Sequence, residues 1–296
     1  MIKKYYLIAS LLLFITGLAK AQYEQPYNLY NFEPVMINPA TAGHTNDMSA
    51  FFNFRKQWVG FEGAPESLFG AVQGKVMENM GLALVFTNTK STVFSTLHTG
   101  INYAYTLQLS DNMFITPGVY AGIKKNSLHN DNLSDALLAD VSITSNEFNK
   151  TYYSLGFGMR FKMDNLVVDF AVPQLASGDT KRMAQQLLGY VAYSFYTAND
   201  TWRIQPSVLY RNFSGGENVN IKVSNLIDYS FLLEYKKTIW AQTSYRNNSD
   251  VQLMLGFKYS YASIAYAYEV TNSILENVSH GSHEIALRVN IPGLKK

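Results

Sequence analysis

Two histidines and a glutamate near the end of the chain, His280, His283 and Glu284, carry groups that bind metals. Zinc sites built on such short spacings use a helix to bring the ligands to one face. No helical pattern runs through this stretch. The three are therefore expected at the rim, where a last strand begins. A second oxygen-rich stretch, HNDNLSDALLAD, holds Asp131, Asp135 and Asp140. A calcium loop alternates its ligands more densely and bends at a glycine, so this stretch is expected to be a solvated surface loop. The chain has no cysteine, which excludes thiol catalysis, disulfides and a lipoprotein anchor. No nucleophile elbow, phosphate-binding loop or facing pair of carboxylates occurs. The expectation is a protein that is not an enzyme, with no catalytic residues, no metal and no cofactor.

What the chain does supply is long alternating segments. In NVNIKVSNLIDYSFLLEYKK one register reads Val219, Ile221, Val223, Asn225, Ile227, Tyr229, Phe231, Leu233, Tyr235. The other, Asn220 to Lys236, is mostly polar. An ordinary strand averages about five or six residues, and about nine to eleven tilted residues cross a bilayer. The stretch Ile227 to Tyr235 is therefore expected to meet lipid, with the rest standing above it. Segments of this kind are expected at about 47–58, 66–76, 80–88, 93–109, 112–124, 150–162, 165–172, 185–197, 201–212, 218–235, 238–246, 250–259, 261–270 and 282–291. Every second connection is tiny (MEN, SD, MD, AND, KK and Ser260), while others are long, notably 125–149. Short turns on one rim and long loops on the other are the habit of outer-membrane barrels. Phe161, Phe195, Tyr235 and Tyr259 end their apolar registers just before short turns, as interface aromatics would.

The N-terminus fits export. Lys3 and Lys4 precede an apolar run from Tyr5 to Leu18, then Ala19-Lys20-Ala21, so cleavage is expected before Gln22. Charged residues are 16% and the net charge is +2, giving no reason to invoke nucleic acid. The expected layout is a signal peptide over 1–21, a proline-rich periplasmic or plug segment over 22–46, and a barrel over 47–296. The fold class is all-β: a transmembrane outer-membrane β-barrel of about 14 antiparallel strands with an N-terminal plug-like segment.

Three stretches carry a resemblance: NFEPVMINPATAG, FRKQWVGFEGAPES and GSHEIALRVN. Together, in this order, they resemble the PorP/SprF family of type IX secretion system membrane proteins. Asn38, Pro39, Ala40, Ala42 and Gly43 match its first motif. Arg55, Gln57, Trp58, Gly60, Phe61, Gly63, Ala64 and Pro65 match the second. Gly281, Ser282, His283, Glu284 and Ile285 match the third. A strand with Trp202, Pro206 and Ser207 also fits. The resemblance implies an outer-membrane protein of a Gram-negative bacterium that works with the type IX machinery. Its implied partners are the periplasmic ring, peptidoglycan-binding subunits, or a large secreted adhesin such as a gliding protein, with outer-membrane lipid around it.

The expected function is therefore support of secretion or surface attachment of a partner protein. The alternative is a channel or transporter for small solutes. Trp58, Phe61 and Pro65 fit either a docking surface or inward packing against Asn38–Gly43. Arg203, Arg211, Lys258, Glu234, Asp228, Arg160 and Arg288 fall on the lumen register, where buried charge seeks a partner.

Overall fold

The computed structural model describes residues 27–45, 47–92, 94–128, 150–177, 185–214, 225–270 and 279–292. Alternation of apolar and polar residues makes each strand two-faced, and a closed ring is how such strands leave no unpaired edge. The strands are β1 Met48–Lys56, β2 Glu66–Met77, β3 Met80–Lys90, β4 Phe94–Tyr105 continued by Leu107–Ser110, and β5 Met113–Leu128. Next come β6 Thr151–Met163, β7 Leu166–Ser177, β8 Gln185–Tyr193 continued by Phe195–Tyr196, and β9 Trp202–Ser214. The last are β10 Leu226–Tyr235, β11 Ile239–Arg246, β12 Val251–Tyr259, β13 Ala262–Val270 and β14 Ser282–Ile291. Each strand pairs antiparallel with its neighbours in sequence, and β14 pairs with β1, which closes a barrel of 14 strands. The breaks in β4 and β8 are single residues, Thr106 and Ser194, whose N–H groups donate to Asn79 O and Asn165 O.

Strand ends follow the sequence reading closely, with three differences. β1 stops at Lys56 because Gln57 turns inward to begin the loop that Trp58 bends, at φ 43°. β5 runs on to Leu128, so part of the expected 125–149 loop is strand; 129–149 lie outside the described residues. β7 continues to Ser177 past a bulge. Of the long segment 218–235, residues 218–224 lie outside the described residues, and the strand Leu226–Tyr235 has 10, about one bilayer crossing.

The outer face is apolar. In β10, Tyr229, Phe231, Leu233 and Tyr235 are exposed while Leu226, Asp228, Ser230 and Leu232 are buried. β12 repeats this, with Val251, Leu253, Leu255 and Phe257 outside and Gln252 and Met254 inside. The short-turn rim carries exposed Phe195, Trp202, Tyr235, Tyr259 and Tyr261. Left-handed residues make those turns tight: Asp164, Asn199, Asp200, Lys236, Lys237 and Ser260 all have positive φ, the twist that hairpin turns require.

Residues 27–45 form three short 3₁₀ turns, Leu29–Asn31, Pro34–Met36 and Pro39–Thr41. Tyr27, Leu29, Tyr30, Val35, Ala40 and Ala42 are buried. The segment touches wall residues on β2, β6, β10, β11 and β14, on all sides of the ring, so it lies within the lumen. It starts beside the long-loop half and ends at Thr45, whose hydroxyl meets Ser49 at the short-turn end of β1. Its apolar side packs on Phe51, Phe69, Ala83, Ala104 and Met254 in one cluster, and on Leu188, Tyr190 and Leu209 in another.

Candidate functional site: the lumen and its N-terminal segment

Successive strand residues point to opposite faces, and this separates the residues first considered for metal binding. Glu284 faces the lumen and is buried, whereas His283 faces outward, its Nδ1 2.6 Å from the Tyr266 hydroxyl. His280 lies in the rim loop, its N–H donating to Val59 O. Among the described residues, no group of three or more potential ligands is placed to hold a metal.

Glu284 instead anchors the N-terminal segment. Its carboxylate accepts from the Asn28 N–H at 3.0 Å and the Leu29 N–H at 3.2 Å. It also accepts from Asn53 Nδ2 at 2.9 Å and Arg55 Nη1 at 3.0 Å. From Arg55 the ionic contacts run on around the wall. Arg55 Nη2 meets Glu269 at 2.9 Å, Arg246 Nη1 meets Glu269 at 3.1 Å, Arg246 Nε meets Asp228 at 2.6 Å, and Arg211 Nη1 meets Asp228 at 2.6 Å. These six side chains are buried and alternate in sign along the path, so each charge removed from water has an opposite neighbour. Arg211 also lies over the Tyr30 ring, 5.4 Å from its centroid. Tyr30 shares a hydrogen bond with Ser230, and burial followed by the nearby Asp228 pushes its phenol well up, so it stays protonated.

A second anchor is Glu33, fully buried inside the segment. It accepts from Arg288 Nη2 at 3.0 Å and from Gln73 Nε2 at 2.8 Å. The Arg288 guanidinium also donates to Phe32 O and stacks 4.3 Å from the Phe32 ring centroid. His44 Nδ1 lies 3.6 Å from Glu33. Burial pulls the imidazole down to about 4, against the opposing pull of Glu33; Arg288 and Arg160 add to the lowering. His44 is therefore neutral at pH 7.

The first motif packs backbone to backbone. Asn38 caps its turn, Oδ1 accepting from the Ala40 N–H at 2.9 Å, while Nδ2 donates to Met159 O at 3.4 Å. Pro39, Ala40 and Gly43 are buried with it. Gly43, at φ +68°, donates its N–H to Gln73 Oε1 at 3.0 Å. The wall meets this turn with glycines. A Cβ on Gly81 would lie 1.9 Å from Ala42 O, one on Gly118 2.4 Å from Ala40, and one on Gly158 2.0 Å from Asn38 Oδ1. Only glycine leaves room there.

The second and third motifs meet at the long-loop rim. The Trp58 N–H donates to Ser282 Oγ at 3.3 Å, Val59 N–H to Gly281 O at 2.8 Å, and Gln57 N–H to Pro65 O at 3.0 Å. Gly60 and Gly63, both at positive φ, turn the loop, and Phe61 is exposed. This loop and Asn38–Gly43 sit at opposite ends of the barrel. Arg55 and Glu284 join the loop's base to residues 28–29, so the second and third motifs hold the start of the segment whose last turn carries the first.

Of the lumen charges singled out in the sequence, Arg203 pairs with Glu234 at 2.8 Å and Arg160 with Asp169 at 2.6 Å. Lys258 differs: its side chain is exposed at the short-turn rim. Sequence reasoning did not single out Glu33, Glu269 or Arg246, or the seat glycines Gly81, Gly118 and Gly158. Glu269 and Arg246 do sit on lumen registers, which was a usable signal. Nothing local marks Glu33 or distinguishes a seat glycine from an ordinary strand glycine.

A closed antiparallel ring with an apolar belt and an aromatic rim defines the class: an outer-membrane β-barrel, here with residues 27–45 of its own chain in the lumen. The profile of the type IX secretion system membrane protein PorP/SprF family matches residues 19–289, and the chain belongs to that family. It is thus an outer-membrane component associated with the type IX secretion system. Among solved structures, the CymD monoaromatic hydrocarbon channel is similar, with 10% identity over 88% of this chain and 92% of that one and a TM-score of 0.52. The TodX monoaromatic hydrocarbon channel deltaS2 mutant is similar at 11% identity over 87% and 94%, with a TM-score of 0.50. At such identities the likeness concerns the fold alone. No curated protein matches significantly.

Proposed function

We propose that the protein is a non-catalytic, non-conducting scaffold of the type IX system, exported with loss of residues 1–21. Its role is to support secretion or surface attachment of a large partner protein, an adhesin or gliding protein, while resting on the periplasmic ring and its peptidoglycan-binding subunits. The observation that carries this reading is the occupied lumen: Glu284 and Glu33 fasten residues 27–45 to the wall from inside. A solute channel would keep that path clear or make its obstruction easy to move. The reading is tested by a pull-down of tagged protein from detergent-solubilised outer membrane, with mass spectrometry of what is retained. Machine subunits or one large secreted protein at near-stoichiometric amounts support it. Recovery of the barrel alone, under conditions that preserve the periplasmic ring, overturns it.

A further inference from the structure

The outer face of the wall carries few charges, and they gather on one arc. Among the described strand residues, the outward registers hold Lys56 on β1, Glu66 on β2, Lys90 on β3 and Lys125 on β5, and no other Lys, Arg, Asp or Glu. Lys56, Glu66 and Lys90 stand in one row. Lys56 is opposed to Glu66 and Glu66 to Lys90, and the line runs on through Ser95 on β4 to Ser127 on β5. His283, bonded to the Tyr266 hydroxyl, ends the row beyond Lys56. Lys125 lies one outward position below Ser127, opposite Leu97. Lys56 Nζ meets Glu66 Oε1 at 2.7 Å, with both side chains about half exposed. Lys90 and Lys125 make no ion pair among the described residues. With Glu66 held by Lys56, the arc keeps an excess of positive charge.

Depth gives the row its meaning. β1 from Met48 to Lys56 has 9 residues and β3 from Met80 to Lys90 has 11, and about nine to eleven tilted residues cross a bilayer. With short turns on the periplasmic side, the lysines stand where the acyl chains of the outer leaflet give way to headgroups. Below them the same face is apolar, with Phe54, Leu68, Leu97 and Ile123 exposed. Beside them lies a recess of about 230 Å³, lined by Lys56, Glu66, Lys90, Phe61, Ser91 and Thr92. Gly63 shapes it: at φ +74° it brings the β1–β2 loop onto the end of β3, where a Cβ would lie 1.6 Å from Thr92 Oγ1. A lysine ammonium binds phosphate as a point charge. Neighbouring strands lie about 4.8 Å apart, so Lys56 and Lys90, and again Lys90 and Lys125, spring from the wall roughly 10 Å apart, about the span of a disaccharide.

The outer leaflet of a Gram-negative outer membrane is built of glycolipids whose disaccharide head carries phosphate. We propose that this arc of the outer rim is a binding site for that lipid. One phosphate lies in the recess against Lys90 and Lys56, a second lies against Lys125, and the acyl chains lie along Phe54, Leu68, Leu97 and Ile123. The site is on the outside of the wall, so it depends neither on the filled lumen nor on the scaffold role.

Protein refolded from denaturant into detergent, free of native lipid, is titrated with bis-phosphorylated lipid A and read by native mass spectrometry. Folding is checked by heat-dependent gel mobility. The parent retains lipid A. A lysine beside an anionic headgroup is worth about fivefold in affinity, so Lys90→Gln/Lys125→Gln binds about 25-fold more weakly. Dephosphorylated lipid A binds the parent more weakly by a similar factor. Glu66→Gln frees Lys56 and binds lipid A about fivefold more tightly, a gain that misfolding does not produce. Lys236→Gln/Lys237→Gln, at the short-turn rim, stays within about twofold of the parent. The proposal is overturned by equal affinity for dephosphorylated lipid A or for phosphatidylglycerol, by no gain in Glu66→Gln, or by an equal loss from the two lysine pairs. Failure of the folded parent to bind lipid A overturns it as well.

Discussion

Replacing Glu284 by alanine tests how residues 27–45 are held. The carboxylate is buried and has four donors: the Asn28 and Leu29 N–H groups from the segment, and Asn53 and Arg55 from the wall. Removing one member of a buried charge network costs roughly 3–5 kcal/mol, because its partners stay buried and unpaired. Two of the four donors belong to the segment, so about half of that, ~1.5–2.5 kcal/mol, weakens its docking. The remainder weakens the wall around Arg55, which keeps Glu269 at 2.9 Å. At a factor of ten per ~1.4 kcal/mol, the undocked population rises about 10- to 60-fold. Hydrogen exchange read by mass spectrometry over Phe32–Thr41 measures this without contribution from the amides that bond Glu284. Exchange there accelerates by that factor, while exchange in β12 stays within about threefold of the parent. An unchanged rate in Phe32–Thr41, or an equal acceleration in β12, refutes the reasoning: the first says Glu284 is not an anchor, the second that the segment and barrel open only together.

Acid should loosen the same segment through His44. Its bound-state value is about 4 and its free value about 6.5. The undocked form therefore binds the extra proton, and docking weakens as pH falls from about 6.5 toward 4, by up to ~3 kcal/mol in all. Exchange over Phe32–Thr41, corrected for its intrinsic pH dependence, is about 30-fold faster relative to docking at pH 5 than at pH 7.5, and His44→Asn flattens the difference. Gly81→Val places a side chain where Cβ alone would sit 1.9 Å from Ala42 O, so chymotrypsin cuts after Tyr27, Tyr30 or Phe32 in a barrel that still shows heat-dependent gel mobility. Phe231→Arg puts a cation on the lipid face and lowers stability by ~2–4 kcal/mol in urea titrations from liposomes, while Ser230→Ala on the lumen face takes a partner from the buried Tyr30 and Ser244 hydroxyls and costs about 1–3 kcal/mol.

The barrel could be read from the chain because its governing signal is local. A lipid-facing wall must alternate, so Val251, Leu253, Leu255 and Phe257 declare one face and Gln252 and Met254 the other within a single strand. Turns of two residues declare which strands are neighbours. The lumen is different, because its contacts join residues far apart in sequence. Glu284 bonds the Asn28 N–H, 256 positions away, and nothing in the order of residues pairs them. Single-face alternation marks Glu269 and Arg246 as inward, yet it cannot say that they meet across two strands. The seat glycines are read only when the incoming turn is in place, since Gly118 and Gly122 have the same local pattern and only Gly118 faces Ala40.

The proposed scaffold depends on a lumen that its own chain keeps shut. Planar-bilayer recording of the purified protein, beside a variant lacking residues 27–45, measures this directly. The account predicts no unitary current steps from the intact chain and stable steps from the shortened one. Stable ion conductance from the intact, fully folded protein, of the same size as that of the shortened form, contradicts it.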